Sequence, residues 1–382
     1  MSEPGRGAAF ALVPLGRGAP RLSPQPEPDA VIILRFSALG DVLLTSPALE
    51  ALHTAWPRAR IVYAVKERFA PLVQHGPAIS CVVGLGEREG AFSLAARLRK
   101  EVAGARSVAV LDLHGKLRSR LLRALFPRAW RRVVWEKRDW RDTLPVKLGL
   151  RPWRTEVLFC DRYHAAVEQL VGRRLPRGRL QAFLGPGDAV SAAQVLRGAG
   201  VRFDKIDSEG RPSPPLIGLS PGANWATKQW PAERYAELAR RALAAGLQVA
   251  VQGSAAERAL GAAIVRAAPG AVDLTGQLDV PQLAGFTSLC AAYAANDSGP
   301  MHLARALGVP TLAFFGSTDP EMFAWGGHRA LFAGVECAPC SFFGRRKCPK
   351  GHLRCMTELS AQQAWEALEG LLQGGKRALL GA

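Results

Sequence analysis

The sequence of 382 residues predicts an α/β protein with two doubly wound parallel-sheet domains. Short apolar runs of strand length alternate with stretches of helical spacing, as in a parallel sheet whose strands are connected by helices. The alternation stops over residues 172–214, which are rich in glycine, proline and charge, and then starts again. The chain is also longer than one hydrophobic core usually supports, so two domains of roughly 150 residues each are expected.

The first half contains a well-defined βα unit. VIILRF, from Val31, has the pattern of a buried strand, and the helical spacing from Ser46 to Ala55 ends before Pro57. Four more strands are predicted in IVYAV (61–65), CVVGL (81–85), SVAVLDL (107–113) and RVVW (132–135), with helices at 91–102 and 116–125. We therefore expect a disordered extension over 1–29 and a first domain over 30–185.

The second half repeats this pattern. Strands are predicted in PLIGLS (215–220), LQVAVQ (247–252), AVDL, LCAAYAAND and TLAFFG, and helices from Ala232 to Ala245 and from Ala255 to Ala268. The second domain is assigned to 186–358, followed by an amphipathic helix within 359–375. Doubly wound sheets bind ligands outside the carboxyl ends of their strands, so the crevice between the two domains is the predicted site.

The composition favours a folded protein with a positive electrostatic field. Hydrophobic residues make up 48% of the chain, and 50 lysines and arginines outnumber 32 aspartates and glutamates, for a formal net charge of +18. Such a field attracts phosphates, nucleic acid or an anionic membrane surface, so the charge alone does not indicate which of them is bound. No run of 18 apolar residues and no long apolar segment of a secretion signal occur, so a soluble or peripheral protein of the reducing cytoplasm is expected.

The segment SALGDVLLTSP (37–47) directly follows the first strand. Gly40 allows a tight turn, and Asp41 stands just before the next helical segment, where its carboxylate would face the crevice. Read locally, an aspartate at a helix start is more simply an N-cap that accepts backbone N–H groups. Asp41 is therefore a candidate catalytic base with a structural alternative.

The segment LSPGANWATKQWP (219–231) follows another predicted strand. Its small residues leave backbone N–H groups accessible, and with one lysine they can form a diphosphate cradle. The alternative is a surface loop with a solvated lysine, against which the two flanking tryptophans argue. The candidate ligand-binding residues of this segment are Ser220, Gly222, Ala223, Asn224 and Lys228.

A third strand end lies in NDSGPMHLARALGVP (296–310). Asp297, Ser298 and Gly299 end a buried strand, and His302 lies in the first turn of the helix that follows. Such a helix start offers N–H donors and a partial positive charge to phosphate or ribose. A lone histidine there is usually structural, whereas Asp297, Gly299 and His302 together are more specific for a ligand.

Glu257 follows the strand LQVAVQ, where doubly wound nucleotide sites often place a carboxylate against ribose hydroxyls. The alternative is a solvated glutamate in a first helical turn. GRGAAFALVPLGRG near the N-terminus is not a dinucleotide fingerprint, because no strand precedes it and its glycine spacing is wrong.

The segment CAPCSFFGRRKCPKGHLRC contains four cysteines and His352. The first C-x-x-C has the spacing of a zinc knuckle, while the later gaps suit a small tetrahedral site less well. Reduced cysteines that pack a compact basic loop are the alternative to structural zinc. The candidate zinc ligands are Cys337, Cys340, Cys348 and Cys355.

Basic residues after the strands of the first domain suit an anionic acceptor, and the DLHGKLRSR segment (112–120) is the best placed. A solvated helix start explains the same residues as well. The candidate acceptor-binding residues are Lys66, Arg68, Arg88, Lys116, Arg118 and Arg120.

Three motifs, in this order and separation, resemble the ADP-heptose:lipopolysaccharide heptosyltransferase family, glycosyltransferase family 9. They are SALGDVLLTSPALEAL after the first strand, PGANWATKQWP, and NDSGPMHLARALGVPTLAFFGSTDP. The similarity runs from about residue 30 to residue 373. It implies a GT-B fold of two facing Rossmann-like domains, with the acceptor on the first, the donor on the second and the final helix packed back on the first. It also implies that Asp41 is the general base, that Lys228 contacts the donor diphosphate and that Glu257 binds the adenosine ribose. The donor site would be completed by Asp297, Ser298, Gly299 and His302.

The implied reaction is an inverting transfer of heptose from ADP-heptose to a Kdo or heptose unit of the lipopolysaccharide inner core. Asp41 would take the proton of the acceptor hydroxyl, while Lys228 and the helix N-terminus at Gly299 stabilise the departing ADP. No cofactor is required, since the ADP-sugar is a substrate. A lipid-linked acceptor would place the protein at the cytoplasmic face of the inner membrane, held peripherally by basic loops and anionic lipids.

Two other functions fit parts of the sequence. A GT-B enzyme that epimerises or hydrolyses a sugar nucleotide would have the same nucleotide site. It would consume the sugar nucleotide without an acceptor. A nucleic-acid-binding protein would explain the charge, but no binding module is recognisable and the basic residues are dispersed. We therefore expect no nucleic acid and no obligate protein partner.

Overall fold

The computed structural model describes four stretches of the chain, 22–135, 158–207, 210–323 and 328–379, without the side chains of 375–379. Within them the chain divides into two compact units. The first contains residues 22–37, 44–135 and 158–180, and the second contains residues 38–43 and those from 181 onward. Each unit has a parallel sheet flanked by helices, so the predicted α/β class is confirmed.

The sheet of the first unit has the strand order β3-β2-β1-β4-β5, with every described pair parallel. Every residue of β1 and β4 is buried, as expected for central strands covered on both faces. Each observed strand lies within two residues of its predicted position. The strands are β1 (Ala30–Leu34), β2 (Arg60–Lys66), β3 (Cys81–Leu85), β4 (Val108–Asp112) and β5 (Arg131–Val134).

Helices cover both faces of this sheet. α1 (Leu39–Leu43) groups with the second unit, whereas α2 (Ser46–Ala55), α3 (Ala91–Glu101), α4 (Leu117–Leu125) and α5 (Phe159–Val171) belong to the first. α3 and α4 pack their buried leucines against one face, and α2 packs against α5. The sequence did not predict α5, because Asp161, His164 and Glu168 are buried among its apolar residues and mask the helical periodicity.

Residues 22–29, which the sequence assigned to a disordered extension, lie instead against the first unit. The Gln25 N–H donates to the last carbonyl of α5 at 3.0 Å. The Glu27 carboxylate accepts the Arg58 backbone N–H at 2.6 Å and pairs with the Arg58 guanidinium at 3.1 Å. These partners order this part of the segment, and residues 1–21 lie outside the described residues.

The second unit has a sheet with the strand order β10-β9-β8-β11-β12-β13 and a short antiparallel pair, β6 with β7. β13 was not predicted, because its residues are only partly buried and lack an apolar run. The strands are β6 (Lys205–Ile206), β7 (Pro212–Ser213), β8 (Leu216–Ser220), β9 (Gln248–Val251), β10 (Val272–Asp273), β11 (Ala292–Asn296), β12 (Thr311–Phe315) and β13 (His328–Phe332).

The helices of this unit end with a long amphipathic helix. They are α6 (Asp188–Gly198), α7 (Ala232–Ala244), α8 (Arg258–Ala267), α9 (Val280–Leu289), α10 (Gly299–Ala306), α11 (Arg354–Thr357) and α12 (Ala361–Leu379). α12 packs against α7 and the strands β11 to β13, with Ala364 and Leu368 in the core of this unit. Its predicted packing on the first domain stays a prediction. None of the described helices is long and apolar enough to cross a bilayer.

Candidate active site

The N-terminus of α10 carries two buried polar atoms that have no hydrogen-bond partner among the described residues. They are the hydroxyl of Ser298, which is the N-cap, and Nδ1 of His302 in the first turn. Buried polar atoms in folded proteins are nearly always paired, and a helix N-terminus favours an anion. The arrangement therefore fits a polar, negatively charged ligand at the start of α10.

Lys228 and Asp297 form a buried ion pair beside this helix start. The Lys228 Nζ lies 2.6 Å from Asp297 Oδ2, which also accepts the Thr318 hydroxyl at 2.7 Å. Burial by itself raises the pKa of the Asp297 carboxyl, but the charge and hydrogen bond of Lys228, helped by Thr318, outweigh burial and hold that pKa below its usual value. Asp297 is thus a carboxylate, and its partner is a lysine fixed at the start of α10.

The turn that carries Lys228 is held by hydrogen bonds from distant segments. The Thr227 hydroxyl lies 2.9 Å from the Ser317 hydroxyl and accepts the Arg345 backbone N–H at 2.8 Å. The Thr227 N–H donates to the Arg345 carbonyl at 3.2 Å. Neither Thr227 nor Ser317 was selected from the sequence, although Ser317 follows a buried strand just as Asp297 does.

Asn296, at the end of β11, fixes the other side of the same loop. It is fully buried, and its Oδ1 accepts the Trp230 N–H at 3.0 Å and the Tyr235 hydroxyl at 3.2 Å. Its Nδ2 donates to the Pro221 carbonyl at 2.7 Å. A single side chain therefore ties the strand end to both ends of the loop that holds Lys228.

Glu257 lies directly against Gly222. A Cβ added to Gly222 would stand 1.7 Å from Glu257 Oε1, so only glycine permits this approach. The other oxygen of Glu257 accepts the Ser254 N–H at 2.6 Å and the Ser254 hydroxyl at 2.8 Å. Glu257 therefore caps the turn that begins at Ser254, rather than being the solvated glutamate of the alternative, and it also contacts Gly222 in the loop after β8.

We expect Gly222→Ala to weaken ADP binding by at least tenfold, because the new methyl group must displace the Glu257 carboxylate. Isothermal titration calorimetry with ADP measures the effect. Gly198→Ala is the matched control, since a Cβ at that position of α6 meets nothing within 4 Å. Unchanged ADP affinity in Gly222→Ala would remove Glu257 and Gly222 from the donor site.

The helix α1, which contains Asp41, packs against the start of α10 within the second unit. A Cβ on Gly40 would lie 2.6 Å from His302 Cδ2 and 3.5 Å from the Gly299 Cα. The structure thus brings the first and third sequence motifs together. Gly40 serves this close approach rather than the tight turn that the sequence suggested, because it is a helical residue.

Asp41 is the third residue of α1, and Ala38 N–H donates to its Oδ2 at 3.1 Å. The carboxylate therefore closes the helix start, as in a capping box. It is only partly buried, so this structural role leaves it open to a second one. The prediction assigned residues 38–43 to the first domain, whereas they group with the second unit, because their packing partners are in α10.

Burial lowers the pKa of His302 to about 3, with Arg305 and Lys228 adding to the effect and Asp297 opposing it. The imidazole is therefore neutral at physiological pH and can offer a ligand a hydrogen bond but no charge. In the unfolded chain a histidine binds a proton near its ordinary pKa of about 6.5. The stability that His302 contributes is fully present above the unfolded-state pKa. It is lost as the pH falls from there towards the folded-state pKa.

As the pH falls from about 6.5 to 5, the free energy of unfolding should decrease by up to about 1.4 kcal/mol per pH unit from His302. Guanidinium unfolding at pH 7, 6 and 5 measures the slope. The variant His302→Gln lacks the titrating group and should lose stability less steeply. Equal slopes in the two proteins would show that His302 titrates normally.

The remaining residues of the predicted diphosphate cradle differ in their burial and in their hydrogen bonds. Ser220 is buried at the end of β8, and its carbonyl accepts the Tyr235 hydroxyl at 3.2 Å. The Ala223 carbonyl accepts the Gln229 side-chain amide at 2.8 Å, and Asn224 is exposed. Ser220 and Ala223 thus shape the loop, and ligand contacts by these three residues stay a prediction.

The four cysteines of the C-terminal loop are all reduced. Burial, together with the thiols of Cys340, Cys348 and Cys337, raises the pKa of Cys355 to about 12. Throughout the described stretches, no three His, Cys, Asp or Glu side chains are arranged to hold a metal ion. Cys355 is buried and the other three are partly buried, and both zinc binding and the alternative of reduced cysteines that pack the loop stay predictions.

The predicted acceptor-binding residues lie at or after the carboxyl ends of β2, β3 and β4 in the first unit. Parallel strands bring these ends to the same edge of the sheet. Lys66 is partly buried, Arg68 lies 4.7 Å from the Phe69 ring centroid, and the remainder are exposed, namely Arg88, Lys116, Arg118 and Arg120. Acceptor binding by this set stays a prediction.

The buried Arg35, at the same edge, was not selected from the sequence. Its guanidinium donates to the Leu113 carbonyl at 2.6 Å and lies 5.4 Å from the ring centroid of Tyr163. Nearby, Asp112 pairs with Arg123 at 2.9 Å. An arginine that directly follows a wholly apolar strand was the signal for this polar cluster.

The fold and the helix start in the second unit define a doubly wound α/β protein whose second unit has a site suited to an anionic ligand. The chain matches the model of glycosyltransferase family 9 (heptosyltransferase) over residues 95–347. It therefore belongs to this family and is a glycosyltransferase, as the sequence motifs predicted.

One similar protein supports this assignment, and two solved structures share the fold. Lipopolysaccharide heptosyltransferase 1 of Pseudomonas aeruginosa is 30% identical over 339 residues, covering 81% of this chain and 85% of the relative. A family 9 glycosyltransferase structure from Veillonella parvula has a TM-score of 0.73 at 21% identity and covers 92% of this chain and 99% of the other. The structure of E. coli ADP-heptose lps heptosyltransferase II has a TM-score of 0.68 at 23% identity, with coverages of 91% and 99%. These structures confirm the predicted GT-B fold.

Proposed function

We propose that the protein transfers heptose, with inversion, from ADP-heptose to a Kdo or heptose unit of the lipopolysaccharide inner core. The observation that carries the proposal is the packing of α1 on the start of α10, where Gly40 approaches His302 and Gly299. This packing puts the segment of Asp41 next to the polar atoms suited to the donor. A base beside the donor site is what a direct transfer requires.

The donor is held, in this proposal, by the second unit. The Lys228 ammonium and the backbone N–H groups at the start of α10 face the diphosphate, and the unpaired Ser298 hydroxyl and His302 Nδ1 supply further hydrogen bonds. The Glu257 carboxylate, set against Gly222, takes the ribose hydroxyls. As the bond to the sugar breaks, the same positive groups stabilise the charge that grows on ADP.

Asp41 removes the proton of the acceptor hydroxyl. A carboxylate is a weak base for a sugar hydroxyl, so proton transfer occurs late, in a transition state with oxocarbenium character. The hydroxyl oxygen attacks the anomeric carbon opposite the leaving diphosphate, which inverts the configuration. The acceptor lies on the first unit near the basic residues after β2, β3 and β4, at the cytoplasmic face of the inner membrane.

Incubation of the purified protein with ADP-heptose, with and without an inner-core acceptor, tests the proposal. ADP release that depends on the acceptor, together with a heptose added to it by mass spectrometry, is the expected result. ADP-heptose consumption without acceptor would instead favour an epimerase or hydrolase on the same fold.

A further inference from the structure

The Lys228 side chain belongs to a closed ring of contacts within the second unit. Its Nζ lies 2.6 Å from Asp297 Oδ2, which accepts the Thr318 hydroxyl at 2.7 Å. The hydroxyls of Ser317 and Thr227 lie 2.9 Å apart. Peptide bonds join Ser317 to Thr318 and Thr227 to Lys228, so these contacts close on themselves. We call the residues Thr227, Lys228, Asp297, Ser317 and Thr318 the lysine ring.

The Thr227 hydroxyl uses its full hydrogen-bonding capacity inside this arrangement. Besides Ser317, its partners are both polar groups of the Arg345 backbone, since it accepts the N–H at 2.8 Å and donates to the carbonyl at 3.2 Å. A hydroxyl has one proton, so the Ser317 hydroxyl is the donor in the contact between the two side chains. An apolar side chain in place of Thr227 would leave the Ser317 O–H and the Arg345 N–H without this acceptor.

A segment of the cysteine-rich loop, residues 340–345, holds the lysine ring from outside. The Ser317 carbonyl accepts two N–H groups of this segment, at 3.0 Å and 2.8 Å. At Gly344, where φ is +99°, an added Cβ would lie 2.7 Å from the Cβ of Trp225, the residue before the turn that carries Lys228. The segment therefore contacts both the ring and the start of that turn. We call residues 340–345 the support segment.

Thr227 and Ser317 lie too deep to contact a ligand themselves. Their exposed fractions are 2% and 1%, and the hydrogen-bonding capacity of the Thr227 hydroxyl is already used. The Lys228 side chain is 13% exposed, and its contact with Asp297 uses one of the N–H donors that an ammonium has. An effect of the two buried hydroxyls on a ligand is therefore exerted through Lys228.

We propose that Thr227 and Ser317 are positioning residues, and that the support segment acts through them to set where the Lys228 ammonium meets the donor diphosphate. This deepens the proposed function and rests on it, because that function assigns the diphosphate to Lys228. A charge fixed in advance stabilises a leaving group without reorganisation, and a displacement of about 1 Å can lower a rate about a hundredfold. The cysteine-rich loop thereby contributes to the donor site through its backbone.

The variant Thr227→Val, which removes the hydroxyl and nearly keeps the shape of the side chain, should bind ADP about tenfold more weakly. Adenosine, which lacks the diphosphate, should bind as it does to the unmodified protein, and Thr227→Ser should retain normal ADP binding. Isothermal titration calorimetry measures both ligands. The kcat for heptose transfer by Thr227→Val should fall about tenfold to a hundredfold.

Thr311→Val is the matched control for the loss of a buried hydroxyl. The Thr311 hydroxyl donates to the Val309 carbonyl at 2.7 Å, and Thr311 is the first residue of β12, at the end away from Ser317. This variant should bind ADP and transfer heptose normally, and circular dichroism checks that each variant is folded. Unchanged ADP affinity in Thr227→Val, or an equal loss of adenosine affinity, would overturn the proposal.

Gly344→Ala tests the support segment without altering the lysine ring. The new methyl group must displace Trp225, so ADP should again bind about tenfold more weakly while adenosine binds normally. Gly334→Ala is the control, because Gly334 also has a positive φ, +67°, and an added Cβ there meets nothing within 4 Å. Equal ADP affinity in the two alanine variants would show that the support segment does not set the position of Lys228.

A double-mutant cycle separates positioning from a general loss of stability. The background is Lys228→Met/Asp297→Asn, which lacks both the ammonium and its carboxylate partner. Adding Thr227→Val to it should lower neither ADP affinity nor kcat further. A further loss as large as in the unmodified protein would overturn the proposal, because the hydroxyl would then act independently of Lys228. Normal ADP affinity and kcat in the background itself would instead contradict the role of Lys228 in the proposed function.

Discussion

Asp41→Asn should lower kcat roughly a hundredfold to ten-thousandfold with no change in ADP affinity, because it removes the proposed base without disturbing the helix start. The amide oxygen of asparagine can still accept the Ala38 N–H that now binds the carboxylate at 3.1 Å. α1 therefore keeps its cap and its packing on α10. Steady-state transfer kinetics and ADP calorimetry measure the two quantities.

Asp188→Asn provides a control with the same local geometry. Asp188 accepts the Gly185 N–H, three residues earlier, at 2.7 Å, just as Asp41 accepts that of Ala38. Asp188→Asn should leave kcat unchanged. If Asp41→Asn also retains full activity, Asp41 is a helix cap alone and the base is another residue.

Lys228→Met should reduce both stability and donor use. Its removal leaves Asp297 as a buried carboxylate with only the Thr318 hydroxyl, and breaking a buried pair in this way costs about 3–5 kcal/mol. Loss of the ammonium that we propose stabilises the leaving diphosphate should lower kcat about a hundredfold to a thousandfold. Guanidinium unfolding and transfer kinetics measure the two effects.

The double variant Lys228→Met/Asp297→Asn separates the two roles of the lysine. Without the buried charge, it should recover much of the lost unfolding free energy, but transfer should stay impaired. Arg241→Met, which breaks a partly exposed 2.9 Å pair with Glu237 on α7 and a 2.6 Å hydrogen bond to Gln362, is the control and should cost much less than Lys228→Met. Recovered activity in the double variant would mean that Lys228 serves only to neutralise Asp297.

The positions of the candidate ligand-binding motifs were predictable because each follows a buried strand. Apolar runs identified β1, β8 and β11, and parallel strands place their carboxyl ends at one edge of a sheet. Candidate residues could therefore be chosen from the positions after those runs. The same reasoning located the basic residues after β2, β3 and β4.

Other parts of the site had no local signal. Thr227 and Ser317, which hold the Lys228 turn, are 90 residues apart, and Asn296 reaches Trp230 across 66 residues. Helix α5 was missed for a different reason, since its buried polar residues obscure the apolar period. A sequence pattern reflects residues that are close along the chain, so it does not predict such long-range hydrogen bonds.

The sequence by itself determined the α/β class, the positions of the strands with apolar runs and the family, because hydrophobic period and motif order are properties of the chain. Only the tertiary structure decided that α1 groups with the second unit and lies against His302. It also decided that Lys228 pairs with Asp297 and that Glu257 rests on Gly222. These contacts depend on packing between segments far apart in sequence, where burial and close approach select the partners.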